Sequence, residues 1–263
     1  MTELDGFTLA AGLVAIALIA ATLSNRLSGW IRVPAPALFL LASTAVATVF
    51  PVLGTVPRLL DEEIVSIALV FILFDGGMHI GWRRFRASAG PIVWLGIAGT
   101  AVTAAGLALA AHFLLGFDWQ LSLLLGAALS PTDPAVVFSV LGKRTISGRS
   151  GTILEGESGA NDPVGIALMV SLLAATGTGM DAVAGGALEF VLQMVVGTAV
   201  GLGGGWVLAR LVRRISLTNE SLHSIWTLAC VVLLYAVATL LHGSGFLAVF
   251  LAGILLGDAR APF

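Results

Sequence analysis

Long apolar runs fill this sequence almost from end to end. A helix needs about 20 mostly apolar residues to cross a bilayer, and nine runs of this kind can be marked in the 263 residues. Only 11% of the residues are charged, compared with about 25% in soluble domains. The sequence therefore predicts an all-α, polytopic membrane protein with nine transmembrane helices. The predicted spans, numbered one to nine, cover residues 7–24, 34–53, 62–80, 90–115, 120–141, 153–175, 184–209, 222–241 and 245–257.

The basic residues predict the orientation of these spans. Short loops rich in Lys and Arg stay on the cytoplasmic side, and 12 of the 13 basic residues lie in alternate joints or after span nine. We therefore expect the amino terminus outside and residue 263 on the cytoplasmic side. No joint is basic enough to predict a nucleic-acid partner, so membrane lipid is the expected surrounding. The 12 residues are Arg26, Arg32, Arg83, Arg84, Arg86, Lys143, Arg144, Arg149, Arg210, Arg213, Arg214 and Arg260.

Among the acidic residues of the apolar spans, four are candidates for buried functional groups: Asp75, Asp133, Glu157 and Asp162. A charge at the bilayer centre costs more than about 2.5 kcal/mol, so such residues usually face a cavity or a partner. At the helical rise per residue, Asp133 and Asp162 fall at similar depth near the midplane. All basic residues lie in or beside the joints, so these acids must be protonated or meet a base from helices outside this sequence. For Asp133, simple capping of a broken helix remains an alternative.

Prolines interrupt span five, which reads "LSLLLGAALSPTDPAVVFSVL". Pro131 and Pro134 cannot donate backbone hydrogen bonds, and proline disfavours helical geometry in the residue before it. We therefore predict a break across residues 130–133, with a second half-helix capped by Thr132 or Asp133. Non-helical backbone at this depth lines a cavity or is buried in protein. Its freed carbonyls suit a dehydrated cation.

Span six carries the matching polar groups. Pro163 leaves the Gly159 carbonyl without its helical donor, and Ser158 and Asp162, four residues apart, share one helical face with that carbonyl. The facing groups of spans five and six are then all oxygens. Oxygen ligands suit Na⁺ or K⁺ rather than a transition metal.

Two motifs carry a resemblance to a known family. "SPTDPAVVFSVL", followed about 25 residues later by "GESGANDPVGIAL", resembles the paired motifs of bacterial sodium/proton and potassium/proton exchangers. These belong to the Asn-Asp branch of the cation:proton antiporter superfamily. The segments "ILFDGG" and "GFLAVFLAGILLGD" extend the similarity to spans three and nine.

The resemblance implies roles for individual residues. Asp162 is expected to bind either H⁺ or the metal ion, Na⁺ or K⁺, and Ser158 and the Thr132 carbonyl are expected to coordinate that ion. Asn161 is expected to fix the local geometry, and Asp133 to lie with the ion- and proton-binding group. Competition of proton and cation for one carboxylate would then couple their transport.

Two further acids are assigned supporting roles by the resemblance. Asp75 matches an acidic position that adjusts the site, and Glu157 matches a glutamate that pairs with an arginine on a later helix. That arginine is not in this sequence. Family members have further spans arranged as an inverted repeat, so we expect that the chain is truncated at its carboxyl end and that its transport competence is reduced.

The resemblance also implies a mechanism and a domain plan. Asn161 holds no exchangeable charge, so one proton is expected to exchange for one cation without net charge movement. Interface helices are expected at 1–81 and 216–263, the transport core at 82–176 and a linking helix at 177–215. The protein is expected in the bacterial plasma membrane, as a homodimer when full length, with no enzymatic activity and no cofactor.

Two other functional classes are alternatives to an exchanger. Gly156, Glu157, Ser158 and Gly159 fit the Gly-x-Ser-Gly motif of rhomboid-type intramembrane proteases, with His242 as a possible base. His242 falls at the outer end of span eight, whereas Ser158 lies about 9 Å above the inner surface by helical rise, so this interpretation is disfavoured. A passive channel or structural membrane subunit is the other alternative.

In span seven, small residues every four positions favour simple helix packing.

Overall fold

A computed structural model describes residues 12, 15–16, 19, 35–49, 58–133, 148–175, 180–214 and 220–258. All regular elements within these ranges are helical, which confirms the all-α prediction. Predicted span one falls almost entirely outside them. A π-helical turn, Leu95–Gly99, joins the third helix to the fourth. The helices are α1 Ala35–Val49, α2 Arg58–Ile80, α3 Trp82–Trp94, α4 Thr100–Leu115, α5 Trp119–Leu129, α6 Arg149–Ala174, α7 Met180–Arg214, α8 Glu220–Leu240 and α9 Gly245–Gly257.

Several of these helices are long and apolar enough to span a bilayer. In the described part of the chain there are four such runs: Glu62–Ile80, Trp82–Leu115, Ala184–Arg214 and Leu222–Leu240. Shorter apolar helices occur within α1, α5 and α9. These lengths identify a multi-pass membrane protein. The count of nine transmembrane helices stays a prediction.

The chain divides into two compact units. The first comprises residues 1–65 and 134–145, and the second residues 66–133 and 146–263. The first unit contains α1, in which hydroxyl groups bond back to carbonyls of the preceding turn. Thr44 donates to the Leu40 carbonyl at 2.8 Å, and Thr48 donates to the Thr44 carbonyl at 2.8 Å. These bonds satisfy the polar side chains inside an apolar helix.

The core of the second unit is built around α9. Ala248, Ala252 and Ile254 are fully buried, and α7 crosses α9 through glycines. A Cβ atom added at Gly201 would lie 2.7 Å from the Ala248 Cα, and one added at Gly205 would lie 2.7 Å from the Ala252 Cα. The absence of side chains therefore lets the two backbones approach closely, which confirms the packing interpretation of the small residues in α7.

The joint between α2 and α3 is shorter than the sequence analysis predicted. Span four was expected to begin at residue 90, but the helix begins at Trp82, and Gly81 alone separates it from α2. Gly81 has φ 71°, a value that glycine adopts without steric cost. Asp258, just after α9, accepts a hydrogen bond from the Arg83 backbone N–H at 2.6 Å. The arginines predicted in this joint therefore lie within α3, and a first-turn N–H of that helix gains an acceptor from a distant residue.

Candidate ion-binding site

The proline-rich end of α5 leaves the helical conformation. Residues 130–133 are not helical. Pro131 has no N–H to offer the Ala127 carbonyl, and the Ser130 hydroxyl donates to that carbonyl instead, at 3.0 Å. The predicted interruption is therefore present on its amino-terminal side. The second half-helix expected from Pro134 lies outside the described residues.

Helix α6 continues through its proline. Pro163 is buried inside an unbroken helix, and neighbouring groups approach α6 where glycine replaces a side chain. A Cβ atom added at Gly159 would lie 2.7 Å from the Phe250 Cζ, and one added at Gly165 would lie 2.6 Å from the Pro131 Cγ. These contacts place the end of α5 directly against α6.

Hydrogen bonds join the non-helical segment to α6 at Thr132. The Ser158 hydroxyl donates to the Thr132 carbonyl at 2.6 Å. The Asn161 amide nitrogen donates to the Thr132 hydroxyl at 2.8 Å and lies 3.4 Å from the Thr132 carbonyl. The structure thus brings together three residues that the sequence analysis had assigned to one site. Both the main chain and the side chain of Thr132 are held.

Asn161 is the most buried member of this group, with 1% of its surface exposed. Its amide nitrogen also donates to a Glu157 carboxylate oxygen at 3.1 Å. An amide nitrogen has two hydrogens, so the 3.4 Å contact with the Thr132 carbonyl is the weakest of the three. The Asn161 Oδ1 atom is buried and has no hydrogen-bond partner among the described residues. Asn161 therefore links Thr132 to Glu157 and leaves one oxygen unsatisfied.

Three carboxylates lie close to this network. Asp162 and Glu157 are partly buried and Asp133 is exposed. Asp133 and Glu157 both interact electrostatically with Asp162, and like charges in such proximity favour a bound cation or proton. Within the described part of the chain, no three His, Cys, Asp or Glu side chains converge as a metal-ligand set. A cation here would need mixed ligands from carbonyl, hydroxyl and carboxylate oxygens.

Asp75 lies apart from the Thr132 network. It is exposed on α2, where one carboxylate oxygen is 3.2 Å from the His79 Nδ1 atom. The same ring nitrogen is 2.9 Å from the Asp75 carbonyl. No contact to Thr132, Ser158 or Asn161 is found among the described residues. A supporting role of Asp75 stays a prediction.

A polar pair in α7 was not predicted from the sequence. The buried Gln193 side chain donates to the Glu189 carboxylate at 3.2 Å, and the Gln193 carbonyl accepts from the Ser244 N–H at 2.9 Å. Glu189 is a further acid within a predicted span. The four-residue spacing of Glu and Gln was the signal that could have identified this pair.

The geometry does not assemble a serine protease site. The Ser158 hydroxyl donates to the Thr132 carbonyl, whereas His242 is exposed in the turn between α8 and α9. A nucleophilic serine needs a base within hydrogen-bond reach. Ser158 is instead bonded to a backbone oxygen of the proline-rich segment.

Comparison with known families agrees with this geometry. The profile of the family described as "Sodium/hydrogen exchanger, transmembrane" matches residues 14–262. The chain belongs to the sodium/hydrogen exchanger family. This confirms the resemblance drawn from the paired motifs.

Individual members of the family carry the names of cation/proton antiporters. The "K(+)/H(+) antiporter NhaP" of Alkalimonas amylolytica is 42% identical over 201 residues, which are 75% of this chain and 34% of the relative. The "K(+)/H(+) antiporter NhaP2" of Shewanella sp. (strain MR-4) is 39% identical over 196 residues, 73% of this chain and 34% of the relative. The "Na(+)/H(+) antiporter ApNhaP" of Aphanothece halophytica is 29% identical over 250 residues, 93% of this chain and 46% of the relative.

The chain spans about a third of the two K(+)/H(+) antiporters and under half of the Na(+)/H(+) antiporter. These relatives are transporters by name, which fits the prediction that the protein is not an enzyme. Their names include both cations that the oxygen chemistry of the site suits.

Proposed function

We propose that this chain exchanges a monovalent cation, Na⁺ or K⁺, for H⁺ across the bacterial plasma membrane. The observation that carries the proposal is the Ser158 hydroxyl donating to the Thr132 carbonyl at 2.6 Å, one helical turn from Asp162. A backbone carbonyl of the non-helical segment, a hydroxyl and a carboxylate then lie in one region of the chain. Such hard oxygen donors bind alkali cations in preference to softer metals.

Competition at Asp162 would couple the two ions. A carboxylate removed from water is stable when it is protonated or paired with a cation. A cation arriving at Asp162 would displace the proton, and a returning proton would release the cation. One carboxylate would then serve both ions in alternation, and Asn161 adds no charge to the cycle. The exchange is accordingly proposed to be electroneutral, one proton for one cation.

Ser158 and Thr132 would act as neutral ligands in this cycle. The Ser158 hydrogen now points at the Thr132 carbonyl, so both oxygens are occupied by each other. Rotation of the hydroxyl would free two oxygens for a cation at the cost of one hydrogen bond, about 1 kcal/mol. Contacts between the cation and the two oxygens would replace the lost bond.

Asn161 and Glu157 would hold the surroundings of the site. Asn161 ties Thr132 to α6 through its amide nitrogen, which fixes the non-helical segment while ions exchange. Glu157 accepts from the same nitrogen and adds negative charge beside Asp162. Asp133 would add to that charge, and Asp75 is proposed to adjust the site from α2.

Alternating access would require one part of the protein to move against another. We propose the domain plan of interface helices at 1–81 and 216–263, a transport core at 82–176 and a linking helix at 177–215. Rocking of the core would expose the site to each side in turn. The same proposal includes an inverted repeat and nine transmembrane helices in this chain. It also includes an external amino terminus and a homodimer of the full-length protein.

The proposal is tested by proton movement in vesicles. The purified chain is reconstituted into vesicles that contain a pH-sensitive dye, and a Na⁺ or K⁺ gradient is imposed. We expect a change of internal pH that Asp162→Asn abolishes. Asp118→Asn is the matched control, because Asp118 caps α5 away from the site and Asn is an equally good cap.

Two further measurements complete this test. A one-for-one exchange should be unchanged when an ionophore clamps the membrane potential. A steady conductance without proton movement would instead indicate a channel. If a folded, inserted chain moves no protons, or if Asp162→Asn exchanges as well as Asp118→Asn, the proposed function is wrong.

A further inference from the structure

The face of α6 opposite the candidate site is packed against α3 and the π turn. Gly156 and Ala160 are four residues apart and share one face of α6. Ser158 and Asn161 lie on the other side of the helix by the same periodicity. The ion-binding face and the packed face are therefore separated by the width of one helix backbone.

The packed face is built from two complementary contacts. At the first, Gly156 admits Ile92, since a Cβ atom added at Gly156 would lie 2.5 Å from the Ile92 Cδ1. At the second contact, the glycine is in the π turn and the larger side chain is on α6. A Cβ atom added at Gly96 would lie 2.9 Å from the Ala160 Cβ and 3.8 Å from the Asn161 N atom. Gly96 is thus the contact next to the site.

Gly96 lies in the π-helical turn Leu95–Gly99. The Thr100 hydroxyl donates to the Gly96 carbonyl at 2.5 Å, while the Thr100 backbone N–H donates to the Ile97 carbonyl. Thr100 is buried. Its side chain therefore satisfies a carbonyl that the altered turn leaves without its usual donor. Turns of this kind inside α-helices occur frequently at functional sites.

We propose that Gly96 is a positioning residue for cation binding: the missing side chain in the π turn sets the distance between α6 and residues 130–133. The inference rests on the proposed function for its link to ion affinity. A methyl group at Gly96 must displace α6 toward Thr132 or twist it. The Ser158 hydroxyl is already 2.6 Å from the Thr132 carbonyl, so α6 cannot move toward Thr132 without changing this contact.

The first experiment measures cation binding in matched glycine variants of the whole chain. Gly96→Ala is compared with Gly99→Ala and Gly106→Ala, whose added Cβ atoms meet nothing within 4 Å. Radioactive sodium, and radioactive rubidium as a tracer for potassium, are the probes. We expect Gly96→Ala to weaken binding about tenfold, a plausible effect for an overpacked contact. The two controls should bind like the parent.

A compensating change separates positioning from general damage. Ala160→Gly removes the methyl group that Gly96→Ala would meet, so the double variant should regain the parent affinity. If Gly96→Ala does not fold, Thr100→Val takes its place, since it removes the hydroxyl bonded to the Gly96 carbonyl. Thr103→Val is its matched control because Thr103 is exposed on the same helix.

A second readout does not depend on ion binding. In a Cys230→Ser background, Thr132→Cys and Ser158→Cys introduce a pair whose rate of disulfide formation reports the distance between α6 and residues 130–133. Gly96→Ala should change this rate, and Gly99→Ala should not. If Gly96→Ala alters this rate and the parent chain, with Thr132 and Ser158 intact, binds neither cation, the inference about geometry is supported and the proposed function is contradicted. Equal rates and equal affinities in Gly96→Ala and Gly99→Ala overturn the inference.

Discussion

Two neighbouring segments of the candidate site contain proline, predicted span five and helix α6, and only span five is interrupted. Helix α5 stops before residues 130–133, whereas α6 continues through Pro163. In both places proline removes one backbone hydrogen bond. The difference is that Pro163 and the two residues after it in α6 are buried, while Thr132 and Asp133 are exposed. Surrounding packing therefore decides whether a helix survives the loss of one hydrogen bond.

The side chain next to each proline adds to the contrast. Ser130 donates to the Ala127 carbonyl that Pro131 leaves free, which stabilises the end of α5. In α6, the backbone at Gly159 packs closely against the Phe250 ring, and Pro163 offers no N–H to the Gly159 carbonyl. One carbonyl is thus satisfied by a hydroxyl at a helix terminus, and the other is tolerated inside a helix held by packing.

The largest expected effect, on cation affinity, comes from removing the helix interruption at residues 130–133. In Pro131→Ala combined with Pro134→Ala, a helix can continue through residues 130–133, and the Thr132 carbonyl then bonds within that helix instead of to Ser158. We expect cation affinity to fall about a hundredfold, comparable to a misplacement of about 1 Å in a preorganised site. Binding of radioactive sodium or rubidium measures the loss, and amide hydrogen exchange detects the new helix. Parent affinity together with a continuous helix would show that the break is not needed.

The next effect concerns the amide that joins the two regions. Asn161→Leu keeps the side-chain volume but leaves the Thr132 hydroxyl and Glu157 without their donor. We expect the free energy of unfolding to fall by about 1–3 kcal/mol, measured by thermal unfolding in detergent. Thr132→Val removes one of the same contacts, so the double variant should cost less than the sum. Additive losses would argue against a shared network.

A smaller effect, on the free energy of unfolding, should differ between a serine at the end of α5 and a serine within α6. Ser130→Ala removes the donor to the Ala127 carbonyl and should destabilise the chain by about 1 kcal/mol. Ser171→Ala is the matched control, because the Ser171 hydroxyl donates to the Ala167 carbonyl at 2.7 Å. That carbonyl lies within an unbroken helix, where it also has a backbone donor. A larger loss in Ser171→Ala than in Ser130→Ala would contradict this account of the α5 terminus.

The smallest effect is expected in α6. Pro163→Ala restores an N–H for the Gly159 carbonyl and should raise the free energy of unfolding by about 1 kcal/mol or less. Cation affinity should stay near that of the parent, because the backbone of α6 is already helical. The same unfolding and binding assays apply. A loss of affinity as large as that in the double proline variant would show that Pro163 shapes the site after all.

Much of the candidate site was predictable because it depends on local chemistry. The prolines of span five predict where α5 ends, and the Ser158–Asp162 spacing predicts one shared face. The start of α3 was not predictable, since the eight residues after Gly81 include three arginines and resemble a joint. Their helical state depends on Gly81 and on the cap from Asp258, a residue 175 positions away from Arg83.

The distribution of apolar residues, prolines and buried acids determined by itself that this is a helical membrane protein with a helix interruption at residues 130–133. These properties follow from solvation and backbone geometry, which each segment carries in its own residues. The tertiary structure decided which groups meet: Asn161 with Thr132, and Gly96 with Ala160. It also decided that α6 stays helical at Pro163. Such outcomes depend on the fit between segments distant in sequence, and the free energy of that fit belongs to the pair rather than to either segment.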